Sequence, residues 1–142
     1  MPQAEVTVSR TVDVDPNRVW STIAAADGLD KWLPAIAQCR LDGSGVGATR
    51  YCTLGNGAQL KERIIEIDQA RRVFRYAITE HPLPAREVTG TVTIRDAGAG
   101  AALVSWGASF EVEQAHKAEL EGMFRQIYEE AIQGLEAFLK RA

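Results

Sequence analysis

The sequence predicts an α+β domain in which a curved, seven-stranded antiparallel sheet wraps around one long C-terminal helix. The chain opens with a strand-like alternation, continues through two short helical segments and six further strand-like segments, and ends in a long helical periodicity. Short dividers between successive strands indicate hairpins and therefore antiparallel pairing. Such a sheet must bury one face, and the last helix is the element large enough to cover it.

The opening strand is followed by two short helical segments. Apolar residues alternate with polar ones at a period of two, which is typical of a half-buried strand. Asp15 and Pro16 end this strand and suit the N-cap and first position of a helix from Pro16 to Ala26. A second helical turn begins in segment 27–30 and closes before Pro34, because the residue before a proline avoids helical geometry. The alternating apolar residues are Val6, Val8, Val12 and Val14.

The middle of the chain consists of strand-like segments separated by turn residues. The dividers are rich in glycine, proline, asparagine and aspartate, which favour turns. From Gln114 onward, apolar residues recur three and four apart over about seven turns, which predicts an amphipathic helix. The six predicted strands are Ile36–Leu41, Ala48–Leu54, Ala58–Ile67, Arg72–Thr79, Arg86–Arg95 and Ala101–Val112.

Composition restricts the class of protein. The 142 residues are 46% hydrophobic and 25% charged, as in an ordinary globular protein, so we expect one domain over residues 1–142. The net charge of −3, with scattered basic residues, argues against a nucleic-acid partner. No segment approaches the ~20 apolar residues of a membrane span, and the N-terminus lacks the apolar run of a signal peptide. We therefore expect a cytoplasmic protein that does not insert into membranes.

The sequence offers no metal or cofactor motif. Cys39 and Cys52 are too widely spaced in the sequence for a redox pair and too few for a metal cluster, so each is expected to be a small buried residue. No nucleophile elbow, phosphate-binding glycine loop or histidine pair at metal spacing is present. We expect no cofactor and no metal.

A strongly bent sheet around one helix need not close on itself, so space for a small molecule can remain between them. Side chains of one parity on each strand face the helix. This count places Arg50 and Glu62 inward on adjacent strands, where a pair of charges is tolerated and a lone charge is costly. They are either a ligand anchor or a structural ion pair, and a register slip of one residue would turn both to solvent.

The predicted cavity combines these charges with aromatic side chains. Arg86, on the parity of Val88, is expected to add a second donor at the mouth, since the planar guanidinium suits a carboxylate or phenolate. Glu62 is the candidate catalytic residue, and His81 is either an acid–base group or a residue that packs in its loop. The predicted ligand-binding residues are Arg50, Cys52, Leu54, Glu62, Tyr76, Ile78, His81, Leu83, Arg86, Val88, Trp106, Ala108, Phe124 and Tyr128.

The order of elements and several short segments resemble the START-like or Bet v 1-like helix-grip superfamily, also called SRPBCC. Within it, the chain is similar to bacterial relatives of the abscisic-acid receptors that are described as polyketide cyclase or dehydrase-like. The resemblance covers nearly the whole chain, implies a helix-grip fold and supports the inward placement of Arg50 and Glu62. The segments that carry it are Val19-Trp20, Trp32-Leu33-Pro34, Gly47-Ala48-Thr49-Arg50, Glu62-Arg63-Ile64, Arg71-Arg72-Val73 and His81-Pro82-Leu83-Pro84.

The chain departs from the receptors at two places. Ala37 stands where the resemblance places the receptors' carboxylate-binding lysine, so abscisic acid is not the expected ligand. The segment matching the receptors' gate loop, residues 54–58, is shorter and lacks a proline, and the latch corresponds to residues 80–83. The resemblance therefore leaves open whether loops 54–58 and 80–85 gate the cavity.

Three functional hypotheses follow. The first is a non-catalytic binder or carrier of a small lipophilic molecule with one polar end. The second is a cofactor-free cyclase, aromatase or dehydratase that uses general acid–base chemistry in the same cavity, as the resemblance implies. The third is an interaction module whose mouth loops meet a protein; no sequence pattern supports a protein partner or a homodimer.

Overall fold

The computed structural model describes residues 2–141. Within them, seven strands form one antiparallel sheet and two helices flank it, which confirms the predicted α+β helix-grip architecture. The strands are β1 (Gln3–Val12), β2 (Ile36–Asp42), β3 (Thr49–Leu54), β4 (Gln59–Asp68), β5 (Val73–Glu80), β6 (Ala85–Gly98) and β7 (Ala101–Val112). The helices are α1 (Pro16–Ala24) and α2 (Gln114–Arg141), with a 3-10 turn at Leu29–Lys31.

The sheet has the strand order β1-β7-β6-β5-β4-β3-β2. Strands β2 to β7 follow one another as hairpins, and β1 pairs with β7. The two edges are thus the first two strands of the sequence. Register shifts interrupt the β2–β3, β4–β5 and β6–β7 ladders, and such bulges bend strands and increase their twist. The bending curves the sheet around α2.

Helix α1 begins as the sequence predicts and ends earlier. The Asp15 side chain accepts a hydrogen bond from the Asn17 amide at 2.8 Å, and Pro16 occupies the first turn. The predicted end at Ala26 is two residues too late, because Ala26 has φ 62°, in the left-handed region. The expected second helix is the single 3-10 turn, which places Leu29 in the core.

Helix α2 packs mainly against β1 and β7, on one side of the sheet. Its buried stripe has the spacing predicted for an amphipathic helix, and these residues are Leu120, Phe124, Tyr128, Ala131, Ile132, Leu135 and Leu139. Gly134 lies against the backbone carbonyl of Trp32, where any β-carbon would overlap that oxygen. A glycine is therefore required for the helix to approach this segment so closely. The inner face of β3 to β5 is less closely covered by α2, and the cavity lies there.

The structure confirms which side chains of each strand were predicted to face inward, except at the start of β6. Arg50, Glu62 and Tyr76 are all buried on the inner face, as predicted. The prediction that Arg86 shares the inward parity of Val88 is wrong, because the ladder shifts between residues 86 and 89 and Glu87 adopts φ 52°. This bulge leaves the Arg86 side chain exposed. Among the described residues, no helix is both long and apolar enough to cross a bilayer.

Candidate functional site

A small apolar cavity lies between α2 and the inner face of β3, β4 and β5. Its volume is about 80 Å³, which leaves room for two or three water molecules at about 30 Å³ each. Drug-sized ligands occupy pockets of about 300–1,000 Å³. The cavity is therefore nearly filled by the side chains around it. Its rim is formed by side chains that remain partly exposed: Leu54, Leu60, Leu83, Met123 and Ile127.

Most of the residues predicted from strand parity meet at this cavity. Those that line it are Arg50, Cys52, Leu54, Glu62, Tyr76, Ile78, Leu83, Trp106, Phe124 and Tyr128. Val88 and Ala108 are buried on the same face but belong to the surrounding core. The structure thus brings these ten predicted residues together around one cavity. Their role in ligand binding stays a prediction.

Two predicted residues lie elsewhere. His81 and Arg86 border an open recess beside Thr79 and Thr89, which point to the outer face of the sheet. The His81 ring accepts a hydrogen bond from the Leu83 amide through Nδ1 at 3.1 Å, and partial burial lowers its pKa. The structure therefore places the His81 ring against its own loop and away from the cavity, and its role stays a prediction.

Sequence reasoning missed seven cavity residues: Leu29, Leu33, Ala35, Ile36, Leu60, Met123 and Ile127. Leu60 shares the predicted parity of Glu62, and Met123 and Ile127 belong to the apolar periodicity of α2, so these three carried a usable signal. The other four come from the turn after α1 and its junction with β2. No periodic pattern covers that segment, and only its folding back over the sheet brings it to the cavity.

The polar part of the cavity contains a buried ion pair. Arg50 Nε donates to Glu62 Oε1 at 2.7 Å, and the two side chains are 3% and 7% exposed. They are directly opposite each other in the β3–β4 register. Arg50 Nη1 also donates to the Ala26 carbonyl at 3.1 Å, which holds the guanidinium between the sheet and the segment after α1. Burial is the largest single influence on the pKa of Arg50 and lowers it, but the Glu62 carboxylate, together with Cys52 and Tyr76, outweighs burial and the net shift is upward.

A second polar group is the cluster of Tyr76, Trp106 and Tyr128. Trp106 Nε1 donates to the Tyr76 hydroxyl at 3.0 Å, and the two tyrosine hydroxyls lie 3.4 Å apart. The Trp106 and Tyr128 rings stack with centroids 5.3 Å apart at 18°. The Arg50 guanidinium lies over the Tyr76 ring, 5.0 Å from its centroid. The cluster and the ion pair are therefore parts of one buried polar patch.

Burial raises the pKa of both tyrosines of the cluster. It raises the pKa of Tyr76 to about 12, with the Glu62 charge adding to the effect. It also raises the pKa of Tyr128 well above its ordinary value, with the neighbouring Tyr76 adding to the effect. Both phenols are protonated at neutral pH. They can donate hydrogen bonds to a ligand, but neither is poised to act as a base.

Gly90 makes room for this cluster. It is paired with Tyr76 in the β5–β6 register, and a β-carbon at residue 90 would overlap the phenol ring, including its hydroxyl. The absence of a side chain lets the Tyr76 ring lie close to Gly90 and reach Trp106 and Tyr128. The position of the hydroxyl group therefore depends on this glycine.

The two cysteines form a pair, contrary to the expectation based on their spacing in the sequence. Cys39 and Cys52 are opposite each other in the β2–β3 register, and their sulfurs are 3.8 Å apart. The hairpin brings together residues that are 13 positions apart. Cys52 is buried as predicted, whereas Cys39 is partly exposed.

Larger recesses lie on the outer face of the sheet. One of about 630 Å³ is lined by the outward side chains Gln38, Arg40 and Thr53 and also by Cys39, Cys52 and Leu60. The Arg40 guanidinium lies 4.3 Å from the centroid of the Tyr51 ring. This recess is an open groove without buried polar groups, so the small inner cavity is the better candidate site. Among residues 2–141, no group of three or more His, Cys, Asp or Glu side chains is placed to hold a metal ion.

Comparison with solved structures confirms the fold. A Bacillus cereus protein named XoxI is 26% identical, with 96% of each chain covered and a TM-score of 0.86. Norcoclaurine synthase from Thalictrum flavum is 14% identical (99% of this chain and 88% of that one, TM-score 0.82), and major latex-like protein 151 from Panax ginseng is 18% identical (95% and 96%, TM-score 0.81). At such identities the two plant proteins show the fold alone. No match was found among curated proteins.

The sequence itself matches a protein family. Residues 3–140 match the family described as polyketide cyclase / dehydrase and lipid transport. The match spans nearly the whole chain and agrees with the resemblance drawn from its short segments. The protein therefore belongs to the polyketide cyclase / dehydrase and lipid transport family, within the helix-grip superfamily.

Proposed function

We propose that this protein binds a small, mostly apolar molecule through an uncharged oxygen at its polar end, in the cavity between α2 and the sheet. The observation that carries the proposal is one phenol O–H hydrogen that has no acceptor among the described residues, in an otherwise apolar cavity. The family description, which names lipid transport, supports the apolar character of the ligand. Apolar side chains of the cavity wall, which include Ile78 and Phe124, supply the apolar surface that such ligands bury.

The donor surplus follows from counting hydrogens. Trp106, Tyr76 and Tyr128 carry one polar hydrogen each, and the cluster contains two hydrogen bonds. Neither hydroxyl has a further acceptor among the described residues, so one O–H hydrogen is left over. Arg50 uses Nε and Nη1 for its hydrogen bonds to Glu62 and Ala26, and among the described residues every fully buried side-chain nitrogen or oxygen has at least one partner. A ligand oxygen would accept the remaining phenol hydrogen of the cluster.

The charge balance favours a neutral oxygen over a carboxylate. Arg50 and Glu62 compensate each other at 2.7 Å, so an added anion would lie close to the Glu62 carboxylate as well as to the guanidinium. A carbonyl or hydroxyl oxygen accepts the same hydrogen bonds without this repulsion. We therefore expect a ketone, aldehyde or alcohol function at the polar end of the ligand.

A ligand must also enlarge the cavity. At about 80 Å³ the space admits part of a small aromatic ring, so rim side chains have to move on binding. Met123 and the leucines of the rim are partly exposed and can turn outward at modest cost, and an unbranched methionine adapts easily. The structure then represents the closed form of the cavity. A ligand can bind only when these rim side chains move outward.

The proposal is tested with probes that share a shape and differ in one oxygen. Acetophenone, ethylbenzene and benzoate are titrated separately while tryptophan fluorescence and NMR shifts are recorded. One hydrogen bond contributes about 0.5–1.5 kcal/mol, so acetophenone should bind roughly two- to tenfold more tightly than ethylbenzene, and benzoate should bind weakest. Equal affinity for the first two, or the tightest binding by benzoate, would refute the predicted polar end.

Two variants test whether the preference for acetophenone arises from the hydroxyl groups of Tyr76 and Tyr128. Tyr76→Phe and Tyr128→Phe should each reduce the preference for acetophenone over ethylbenzene and leave ethylbenzene binding largely unchanged. Tyr51→Phe is the matched control, because Tyr51 lies on the outward parity of β3. Loss of the preference in the control would contradict a site at the cavity.

The catalytic alternative has its own discriminating variant. The family description also names cyclase and dehydrase, and Glu62 is the carboxylate that lines the cavity. Its Oε1 already accepts from Arg50, which favours an orienting role for the carboxylate. With a hydroxylated or polyketide-like substrate, Glu62→Gln should abolish turnover and preserve binding if Glu62 is the catalytic base. A binder would show no turnover in either form.

A further inference from the structure

The hairpin formed by β2 and β3 holds two thiols in the geometry that precedes a disulfide. Directly opposed residues of antiparallel strands have Cα atoms about 4.5–5.5 Å apart, within the about 4.4–6.8 Å that a disulfide requires. The sulfurs of Cys39 and Cys52 are 3.8 Å apart, so they need to approach by about 1.8 Å to bond. Rotation of the two side chains can supply this movement while the backbone stays in place.

The two thiols differ in exposure. Cys39 is partly exposed on β2, which is an edge strand of the sheet, whereas Cys52 is 2% exposed and lines the cavity. A small oxidant from solvent therefore reaches Cys39 first. Cys52 is shielded from direct attack and is placed to react with whatever forms on Cys39.

The thiols also differ in charge state. The Cys52 thiol donates a hydrogen bond to the Cys39 sulfur, which, together with the Leu29 backbone and the Arg50 charge, lowers the pKa of Cys39 to about 7 against burial and the Asp27 carboxylate. The same hydrogen bond, with burial and the Glu62 charge, raises the pKa of Cys52. Cys39 is thus partly thiolate at neutral pH, which is the reactive form, and Cys52 is a protonated donor beside it.

We propose that Cys39 and Cys52 form a peroxide-reactive dithiol in which Cys39 is oxidised first and Cys52 resolves the product into a disulfide. In the first step the Cys39 thiolate attacks hydrogen peroxide, the O–O bond breaks, and sulfenic acid and hydroxide form. In the second step the Cys52 sulfur attacks the Cys39 sulfenic sulfur, the S–O bond breaks, and the departing hydroxide takes the Cys52 proton as water. One peroxide is reduced to one hydroxide and one water, and the Cys39 thiolate and the Cys52 thiol are oxidised to one disulfide.

The disulfide would act on the cavity wall. Cys52 lies between Arg50 and Leu54 on the inner face of β3, and all three line the cavity. Drawing the Cys52 sulfur toward β2 turns it away from that wall and ties the edge strand to its neighbour. The oxidised and reduced proteins therefore differ in the cavity wall and in the mobility of β2.

The test uses the intact, fully reduced protein and hydrogen peroxide alone. Since the chain has two cysteines, the expected product is a monomer whose mass is lower by two hydrogens, with no free thiol and a cross-linked peptide pair. Reduction by dithiothreitol should restore both thiols. An unchanged mass in excess peroxide, or a disulfide-linked dimer as the main product, overturns the proposal.

Two variants separate the assigned roles. Cys52→Ser should retain oxidation at Cys39 and accumulate a sulfenic acid that dimedone traps. Cys39→Ser should lose peroxide reactivity by about tenfold or more, because the remaining thiol is buried and protonated. Equal reactivity of the two variants, or trapping at residue 52 and not at residue 39, would contradict the assignment. The wild-type mass change needs no variant and tests the disulfide even if a substitution weakens the fold.

Discussion

Removal of the Glu62 charge is expected to destabilise the fold strongly, because it leaves the Arg50 guanidinium buried without its counter-charge. Both side chains are under 10% exposed, at 3% and 7%. Breaking a buried ion pair by changing one partner costs about 3–5 kcal/mol. Glu62→Gln retains the shape and an acceptor oxygen, so the lower end of this range, about 3 kcal/mol, is expected.

The expected change in melting temperature follows from chain length. Unfolding entropy is about 2.1 cal/mol/K per residue, which for 142 residues is about 0.3 kcal/mol/K. A loss of about 3 kcal/mol then lowers Tm by about 10 °C. Differential scanning calorimetry at neutral pH measures the shift, and urea unfolding measures the free energy directly.

The same strand provides a matched control. Glu66 lies 3.7 Å from Arg75, and their side chains are 36% and 45% exposed. Surface pairs contribute about 0–1 kcal/mol, so Glu66→Gln should lower Tm by no more than about 3 °C. The double variant Arg50→Met with Glu62→Leu should recover most of the loss, since buried pairs are often replaced by apolar residues without cost. If Glu62→Gln is no more destabilising than Glu66→Gln, the reasoning about the buried charge is wrong.

Three further predictions concern the cavity. Gly90→Ala should displace the Tyr76 ring and lower the free energy of unfolding by about 1–3 kcal/mol in urea titrations, as overpacking does. Met123→Trp should fill the cavity and abolish saturable acetophenone binding, whereas Gln126→Trp, on the exposed face of the same helix, should leave it unchanged. Above pH 10, the unfolded state ionises its tyrosines while Tyr76 and Tyr128 stay protonated, so stability should be lost by about 1.4 kcal/mol per pH unit for each phenol. The double Phe variant should remove this part of the slope in urea titrations at pH 9 and 11.

The sheet and most of the cavity wall were predictable because side-chain alternation is a local property. In β3, β4 and β5, side chains alternate regularly between the two faces around Arg50, Glu62 and Tyr76. These three residues were therefore placed on the correct face. The same rule failed at Arg86. The bulge there places Glu87 at a positive φ, and a non-glycine residue gives no sequence signal for such a conformation.

Properties that depend on tertiary packing were not predictable. The Cys39–Cys52 pair exists because the β2–β3 register sets these residues opposite each other, and register is fixed by the turn and by the buried face. The small size of the cavity is likewise a packing result. The Trp106 and Tyr128 rings stack across the space that a bent sheet would otherwise leave open, and an alternation pattern contains no measure of that distance.

A ligand remains the better explanation even though the cavity is small. The cavity contains buried polar groups, Arg50, Glu62 and the tyrosine hydroxyls, which a core that only stabilises the fold does not need. A core of this size would gain from apolar residues in place of Arg50 and Glu62. It would also gain from phenylalanine in place of a tyrosine whose hydroxyl hydrogen has no acceptor. Both costs occur at one place, beside partly exposed rim residues that can move. A ligand oxygen would accept the phenol hydrogen that the Trp106–Tyr76–Tyr128 cluster leaves over, which supports the proposal of a neutral oxygen at the polar end of the ligand.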